Sequence, residues 1–101
     1  MEVPVPPPIQ ILAIELTAAV TSSEHITRLW WRDSEAGMWH HNTVAQLVAW
    51  IEDDGGRAYL HVDDRRVSLE IVTPTRPTDA KYLRARVNDT WTDDLLSLPH
   101  L

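Results

Sequence analysis

The sequence predicts an α+β domain: a largely antiparallel sheet of five or six strands packed by one helix, with a proline-rich arm before it and a short C-terminal helical turn after it. Three observations carry this expectation. Val44, Leu47, Val48 and Ile51 recur at i, i+3, i+4 and i+7, which is one apolar stripe of a helix. Several short segments around it alternate apolar and polar residues with the period of two that a half-buried strand needs. The chain has 101 residues and no cysteine. That length suits one core burying roughly two thirds of the unfolded surface, and the composition excludes a disulfide framework, a thiolate zinc site, an iron–sulfur cluster and a thiol nucleophile.

Residues 1–8 (MEVPVPPP) hold four of the seven prolines. Proline has no N–H and a fixed φ, so this stretch reads as a polyproline II arm, either an unanchored tail or an arm that orders against a neighbouring chain. Pro4 and Pro7 satisfy P-x-x-P, as any proline-rich terminus easily does. The single domain is expected over residues 9–101. Ile9 to Leu16 (IQILAIEL) fits a helix face as well as a strand. Its β-branched content and shortness favour a central strand, with Leu12, Ile14 and Leu16 on one face and Ile9, Ile11 and Ala13 on the other. Thr17 to Glu24 then connects to a second strand, His25 to Arg32, where Thr27, Leu29 and Trp31 oppose Arg28, Trp30 and Arg32. Asp33 to Gly37 reads as a turn and Met38 to His41 as a brief third strand.

The helix carries the clearest signals. Thr43 and Gln46 have capping-box spacing, and Gly55-Gly56 supplies a stop. Trp50 falls at the edge of the apolar stripe. Glu52, Asp53 and Asp54 gather negative charge at the C-terminal end, where the macrodipole disfavours it by about 0.3–1 kcal/mol per charge. Arg57, the Arg65-Arg66 pair or a partner are the candidates to compensate. Strands are expected at Arg57 to Val62, around Val67, Leu69 and Ile71, and at Lys81 to Val87, with Asp63 to Arg66 a polar turn and Pro74 to Ala80 a loop. In the last strand Leu83, Ala85 and Val87 oppose Tyr82, Arg84 and Arg86. Asn88-Asp89 turns the chain. Thr92 then caps a final turn, Asp93 to Leu98, which folds Leu95, Leu96 and Leu98 onto the body before Pro99 ends it. Neither an internal repeat nor a second domain boundary is visible.

This order of segments resembles a small bacterial family, domain of unknown function 3892, associated with actinobacteria and their phages. The closing stretch KYLRARVNDTWTDDLLSLP carries most of the likeness: Tyr82, Leu83, Arg84, Thr92, Asp93, Leu95, Leu96, Leu98 and Pro99 stand at the places of the family's terminal signature. The resemblance spans residues 9–101. Two positions depart from it. Asp94 replaces a usual asparagine, so a hydrogen bond donated by that amide is lost, and Asn88-Asp89 stands where aspartate-glycine is common. The family brings no established activity. What the resemblance adds about setting is an actinobacterial host or a phage particle.

Catalytic motifs are absent: no HExxH, G-x-S-x-G, Walker or dinucleotide pattern occurs. His25, His40, His41 and His61 lack metal-ligand spacing, and adjacent His40 and His41 on a strand must point to opposite faces. Each of the doublets Asp53-Asp54, Asp63-Asp64 and Asp93-Asp94 lies at an element end, where aspartate serves turns. Neither a cofactor nor a metal is therefore expected. The longest aliphatic run, Ile11 to Ile14, falls far short of the ~20 residues of a membrane helix, and no signal-peptide pattern opens the chain. The expected setting is cytoplasmic, or a phage particle, with no membrane partner.

Charge and tryptophan are more informative. The formal net charge is −6, which disfavours nucleic acid. Yet five arginines and Lys81 against Glu70 and Asp79 give residues 65–86 a local +4, leaving −10 for the remainder. Arg84 and Arg86 beside Tyr82 are candidates for an anionic ligand or an acidic partner, unless Arg84 instead pairs internally with Asp93 or Asp94. Trp30 and Trp31 are adjacent, so one of them faces away from the helix and is a candidate interface residue. The leading expectation is a non-catalytic protein-interaction module, self-associating as a homo-oligomer or docking on a larger assembly. The alternatives are an accessory subunit of a phage particle and a small binder of an anionic metabolite or nucleotide.

Overall fold

Helix α1 (Val44–Asp54) is closed at both ends by its own sequence. The Thr43 hydroxyl accepts the Gln46 N–H at 3.2 Å, and the Gln46 side-chain oxygen accepts the Thr43 N–H at 3.0 Å, which satisfies two of the donors that a helix start leaves unpaired. At the other end Gly55 adopts φ +68°, and the Gly56 N–H donates to the Trp50 carbonyl at 3.3 Å. Val44, Leu47 and Val48 are buried and Ile51 half-buried, as the stripe requires. The acidic end is met by Lys81, whose Nζ lies 2.6 Å from Glu52 Oε2. Neither Arg57 nor the Arg65-Arg66 pair takes that role, and Arg66 stacks on Tyr59 instead.

The computed structural model describes residues 7–16, 23–33, 37–76 and 79–101. Residues 1–6 of the expected arm, most of the first connecting loop and parts of the 33–37 turn and the 74–80 loop lie outside the described residues. The strands are β1 (Ile9–Leu16), β2 (Ile26–Asp33), β3 (Trp39–Thr43), β4 (Ala58–Val62), β5 (Arg65–Val72), β6 (Tyr82–Val87) and β7 (Thr90–Thr92). Short 3-10 turns occupy Ser23–His25 and Asp94–Ser97.

Among the described residues one α-helix lies beside a sheet, which is α+β, but the expected sheet of five or six largely antiparallel strands needs correction. Among the described residues it has seven strands, in the order β3-β2-β1-β4-β5-β6-β7, and it is mixed. β1 and β4 run parallel, with Ile9 opposite Ala58 and Gln10 opposite Tyr59. The cause is the crossover. β3 runs with β1 because both are antiparallel to β2. A helix returning the chain across the sheet starts the next strand at the same end, so β4 must run with β1 too. The strand β7 follows from the Asn88-Asp89 turn, where φ is +49° and +65°. Two consecutive residues of positive φ make a two-residue hairpin turn whose twist suits paired strands, and Thr90 pairs with Val87 directly after it.

β1 also differs from simple alternation. Ile11 pairs with Trp31 but Ala13 pairs with Trp30, so Leu12 is an extra, bulged residue. The faces exchange there. Ile9, Ile11 and Ile14 end on the same face, at 5%, 1% and 0% exposure, in place of the expected grouping of Leu12 with Ile14 and Leu16. With Leu29, Leu60, Leu83 and Leu95 they form the centre of the core. β4 pairs with β1 only at Ile9 and Gln10. Farther along, the C-terminal tail takes the edge: the Ile14 N–H donates to the Pro99 carbonyl at 2.9 Å and the Leu101 N–H to the Ile14 carbonyl at 2.8 Å.

Gly56 is buried because the Trp50 ring lies against it: a Cβ there would sit 2.4 Å from ring atoms. Gly56→Ala should therefore destabilise the protein by about 1–3 kcal/mol, the usual penalty of overpacking, with a change in tryptophan emission as the ring is displaced. Chemical denaturation followed by fluorescence measures both, and an unchanged midpoint would show that Trp50 is not held by this contact.

Candidate functional site

The sheet sends Trp30 and Trp31 to opposite faces. Trp31 lies on the helix side. Its ring stacks on His40 across the strand pair, with centroids 4.5 Å apart, and its Nε1–H donates to Asn42 Oδ1 at 2.8 Å. Asn42 Nδ2 in turn donates to Gln46 Oε1 at 3.1 Å, which ties β2 and β3 to the first turn of α1. Between these elements opens a cleft of about 310 Å³, walled by Trp31, Trp50, Ile9 and Leu47, with Asp33, Asn42 and Gln46 as its polar groups and Pro7 beside them.

Trp30 lies on the opposite face, 5.9 Å from the His41 ring. Tyr82, Arg84 and Arg86 share that face, since Arg84 is paired with Glu70 and Arg86 with Ser68 across from the alternate positions that carry the core. β1, β4 and β5 stand between them and Trp30, so the residues singled out in the sequence do not assemble into one site. The two arginines are already engaged. Arg84 Nη2 binds Asp93 Oδ1 at 3.2 Å, and Arg84 Nε donates to the Thr92 carbonyl at 3.3 Å. Arg86 faces Glu70 at 3.5 Å and Asp89 at 3.8 Å, with its guanidinium over the Trp91 ring. Tyr82 instead borders a separate hollow of about 590 Å³ beside Glu24, His25 and the 72–75 stretch.

The C-terminal segment is built around the same strand end. Thr92 is the last residue of β7, not the N-cap. The cap position is Asp93, which makes no side-chain capping bond. The Thr92 hydroxyl nevertheless accepts the Asp94 N–H at 3.4 Å and donates to Asp94 Oδ2 at 2.8 Å. A carboxylate at position 94 is thus used as an acceptor. Leu95 is fully buried, Leu96 and Leu98 pack half-buried against the core, and the Pro99 carbonyl pairs with β1.

This closing segment lies within the stretch matched by a family model described as Protein of unknown function (DUF3892), which covers residues 10–99. The chain belongs to that family. No curated protein matches it, and no solved structure does.

In this DUF3892 protein the surface that sequence reasoning missed lies around β3, at one end of the sheet. Met38 and Trp39 are 62% and 59% exposed. Trp39 and His41 pair with Arg32 and Trp30, so they share the open face with Arg28, Trp30 and Arg32 of β2. Arg28 Nη1 donates to His41 Nδ1 at 2.6 Å and Arg32 Nη2 to Gln10 Oε1 at 2.9 Å. Among the described residues neither arginine has a carboxylate within ion-pair distance. The Arg28–Trp30–Arg32 alternation is legible in the sequence, but it carries no sign of which arginines find acids. No three histidine, aspartate or glutamate side chains converge as a metal site among the described residues, and among them no helix is long and apolar enough to cross a membrane.

Because Asp93 is 71% exposed, its pair with Arg84 is a surface ion pair, which contributes about 0.2–1 kcal/mol. A double-mutant cycle of Arg84→Ala and Asp93→Ala should give a coupling energy within that range. A coupling above about 2 kcal/mol would mean that the pair is desolvated in solution.

Proposed function

We infer that this DUF3892 protein is a non-catalytic protein-interaction module, which adds an acidic, extended segment of a partner to the outer edge of β3. The observation that supports this reading is an open strand edge beside a cationic, aromatic face. A terminal strand presents alternate unpaired N–H and C=O groups, and these template the pairing of another strand. No described strand covers that edge of β3. Met38 and Trp39 add apolar contact area where a partner would lie. One strand inward, Arg28 and Arg32 are bonded to neutral groups, and β3 itself (WHHNT) has no acidic residue to screen them. Every second side chain of an added strand falls on that face, so an acidic one gains from their field.

A second copy fits this edge less well. Pairing WHHNT with itself brings no opposite charges together, and each copy has a net charge of −6. The phage-particle alternative is a special case of docking, in which the partner strand belongs to a particle protein. The anionic-metabolite alternative loses its support, because Arg84 and Arg86 are held by Asp93, Glu70 and Asp89.

Isotope-labelled protein titrated with a peptide of alternating glutamate and valine tests the reading. Amide shifts should concentrate on residues 38–43, and Arg28→Glu with Arg32→Glu should weaken binding at least about tenfold, or 1.4 kcal/mol. Absence of shifts up to about 1 mM peptide, a free energy near −4 kcal/mol, rejects it. So does a concentration-dependent dimer formed through the same amides without peptide, which would assign the edge to a second copy.

A further inference from the structure

On the open face of β3 the exposed His41 ring meets Arg28 of β2. Arg28 Nη1 and His41 Nδ1 are 2.6 Å apart. A guanidinium has donors and no acceptor, so the hydrogen bond has one possible direction, and Nδ1 accepts. The imidazole proton therefore sits on Nε2 and the ring is neutral. An imidazolium has an N–H on both nitrogens and would turn one of them onto the guanidinium. Among the described residues no carboxylate lies within ion-pair distance of His41. His40, next along the strand, is on the helix side and faces Asp33 at 3.7 Å. Glu15 stands opposite Arg28 in β1, two strands from β3, and its Oε1 accepts from Thr27 Oγ1 at 3.3 Å. Arg32 donates to Gln10, and the first turn of α1 has no acid. Trp30, paired with His41, presents an uncharged ring 5.9 Å away.

We propose that His41 is the residue that recognises the partner's acid, taking up a proton from solvent when a carboxylate of the added strand settles beside it. The inference rests on the strand-addition reading and names the group that makes it selective. β3 is the terminal strand of the sheet, so an added strand lies directly against it. Its open-face side chains come next to Trp39, His41 and Thr43. A carboxylate beside His41 favours the imidazolium. Protonation puts a hydrogen on Nδ1, breaks the bond from Arg28 and frees Nη1 as a donor. One carboxylate then accepts from both cations, and two charge-assisted hydrogen bonds replace a single bond between protein groups. Before binding, Arg28 holds the proton off the ring; afterwards the partner's acid draws it on. The bound state thus carries more protons than the free state, so binding tightens as pH falls through the histidine range. A neutral strand, or one whose acids lie on the helix side, gains nothing from this step.

The glutamate–valine peptide, titrated at fixed ionic strength at about pH 7.5 and about pH 6, keeps its glutamates ionised while histidine changes form. Binding should be at least about fivefold tighter at the lower pH. Calorimetry in buffers of different ionisation enthalpy should show net proton uptake. His41→Asn supplies an amide oxygen that accepts from Arg28 but never becomes a cation, and it should abolish both effects. Ring-nitrogen chemical shifts of the free protein should place the His41 proton on Nε2. A proton on Nδ1 in the free protein overturns the proposal. So does equal affinity at the two pH values, or a pH dependence that persists in His41→Asn. In those cases the peptide still shifts the β3 amides, and strand addition stands without the proton step. Absence of β3 amide shifts at either pH overturns the strand-addition reading itself, and this proposal with it.

Discussion

The crossover through α1 is the constraint on which the sheet depends. A strand cannot join β1 in parallel unless the chain is carried back over the sheet, and the helix that does so needs defined ends. The Thr43–Gln46 box and the Gly55-Gly56 exit fix those ends to a single residue each. The length of α1 then decides where β4 begins, and β4 begins one residue after Arg57, whose carbonyl accepts the Ile9 N–H at 3.0 Å. β5, β6 and β7 follow from β4 as consecutive hairpins. Trp50 against Gly56 is therefore more than core filling: it holds the helix exit at the point where the chain must turn down into β4.

The bulge at Leu12 has a comparable reach. Without the extra residue Ile14 would point to the open face, and the C-terminal tail would pair beside a strand whose core side chain was turned outward. With it, Ile14 enters the core opposite Leu29 while its backbone groups bond the Pro99 carbonyl and the Leu101 N–H. The same register sets Ile11 across from Trp31 and Ala13 across from Trp30. A large side chain thus supports the tryptophan of the cleft, and a small one leaves room beside the tryptophan of the open face.

How much of this is legible in the sequence varies with the range of the physics. The α1 caps, the Gly55 stop, the apolar stripe and the Leu83–Ala85–Val87 face are local patterns, and the structure carries them where the residues indicate. The strand count and the mixed sheet are not local. β7 has three residues, too few for alternation to register, and only the pairing of Thr90 with Val87 identifies it. The parallel pairing of β1 and β4 depends on which end of the sheet the helix leaves, and the Leu12 bulge on a partner strand 18 to 19 residues away. The candidate residues show the same division. That Trp30 and Trp31 part to opposite faces follows from the period of two. That Trp31 joins Trp50, Asp33 and Gln46 needs the helix laid on the sheet, and no spacing in the chain encodes it.

Charge distribution is the sharpest case. Residues 65–86 hold the local excess of +4, and within them Lys81 pairs with Glu52, Arg84 with Asp93 and Arg86 with Glu70 and Asp89, while among the described residues Arg65, Arg66 and Arg76 have no carboxylate within ion-pair distance. Arg28 and Arg32 belong to the part of the chain whose net charge is −10, and they are bonded to an imidazole and a carboxamide. Folding thereby changes the electrostatic reading of β6, whose two arginines are matched by acids. Acids close around the basic strand β6, because the hairpin turn and the C-terminal segment bring Asp89 and Asp93 beside it and the neighbouring strand β5 brings Glu70. The basic residues of β2 lie near the end of the sheet, between β3, which has no acid, and β1, which places Glu15 opposite Arg28. A linear window sums charges that are neighbours in sequence, whereas a ligand or a partner strand meets those that remain uncompensated on a face. By that measure Arg28 and Arg32 at the β2–β3 end stand with Arg57, Arg65, Arg66 and Arg76 as arginines that have no carboxylate within ion-pair distance among the described residues, and the acidic surface includes the exposed end of α1.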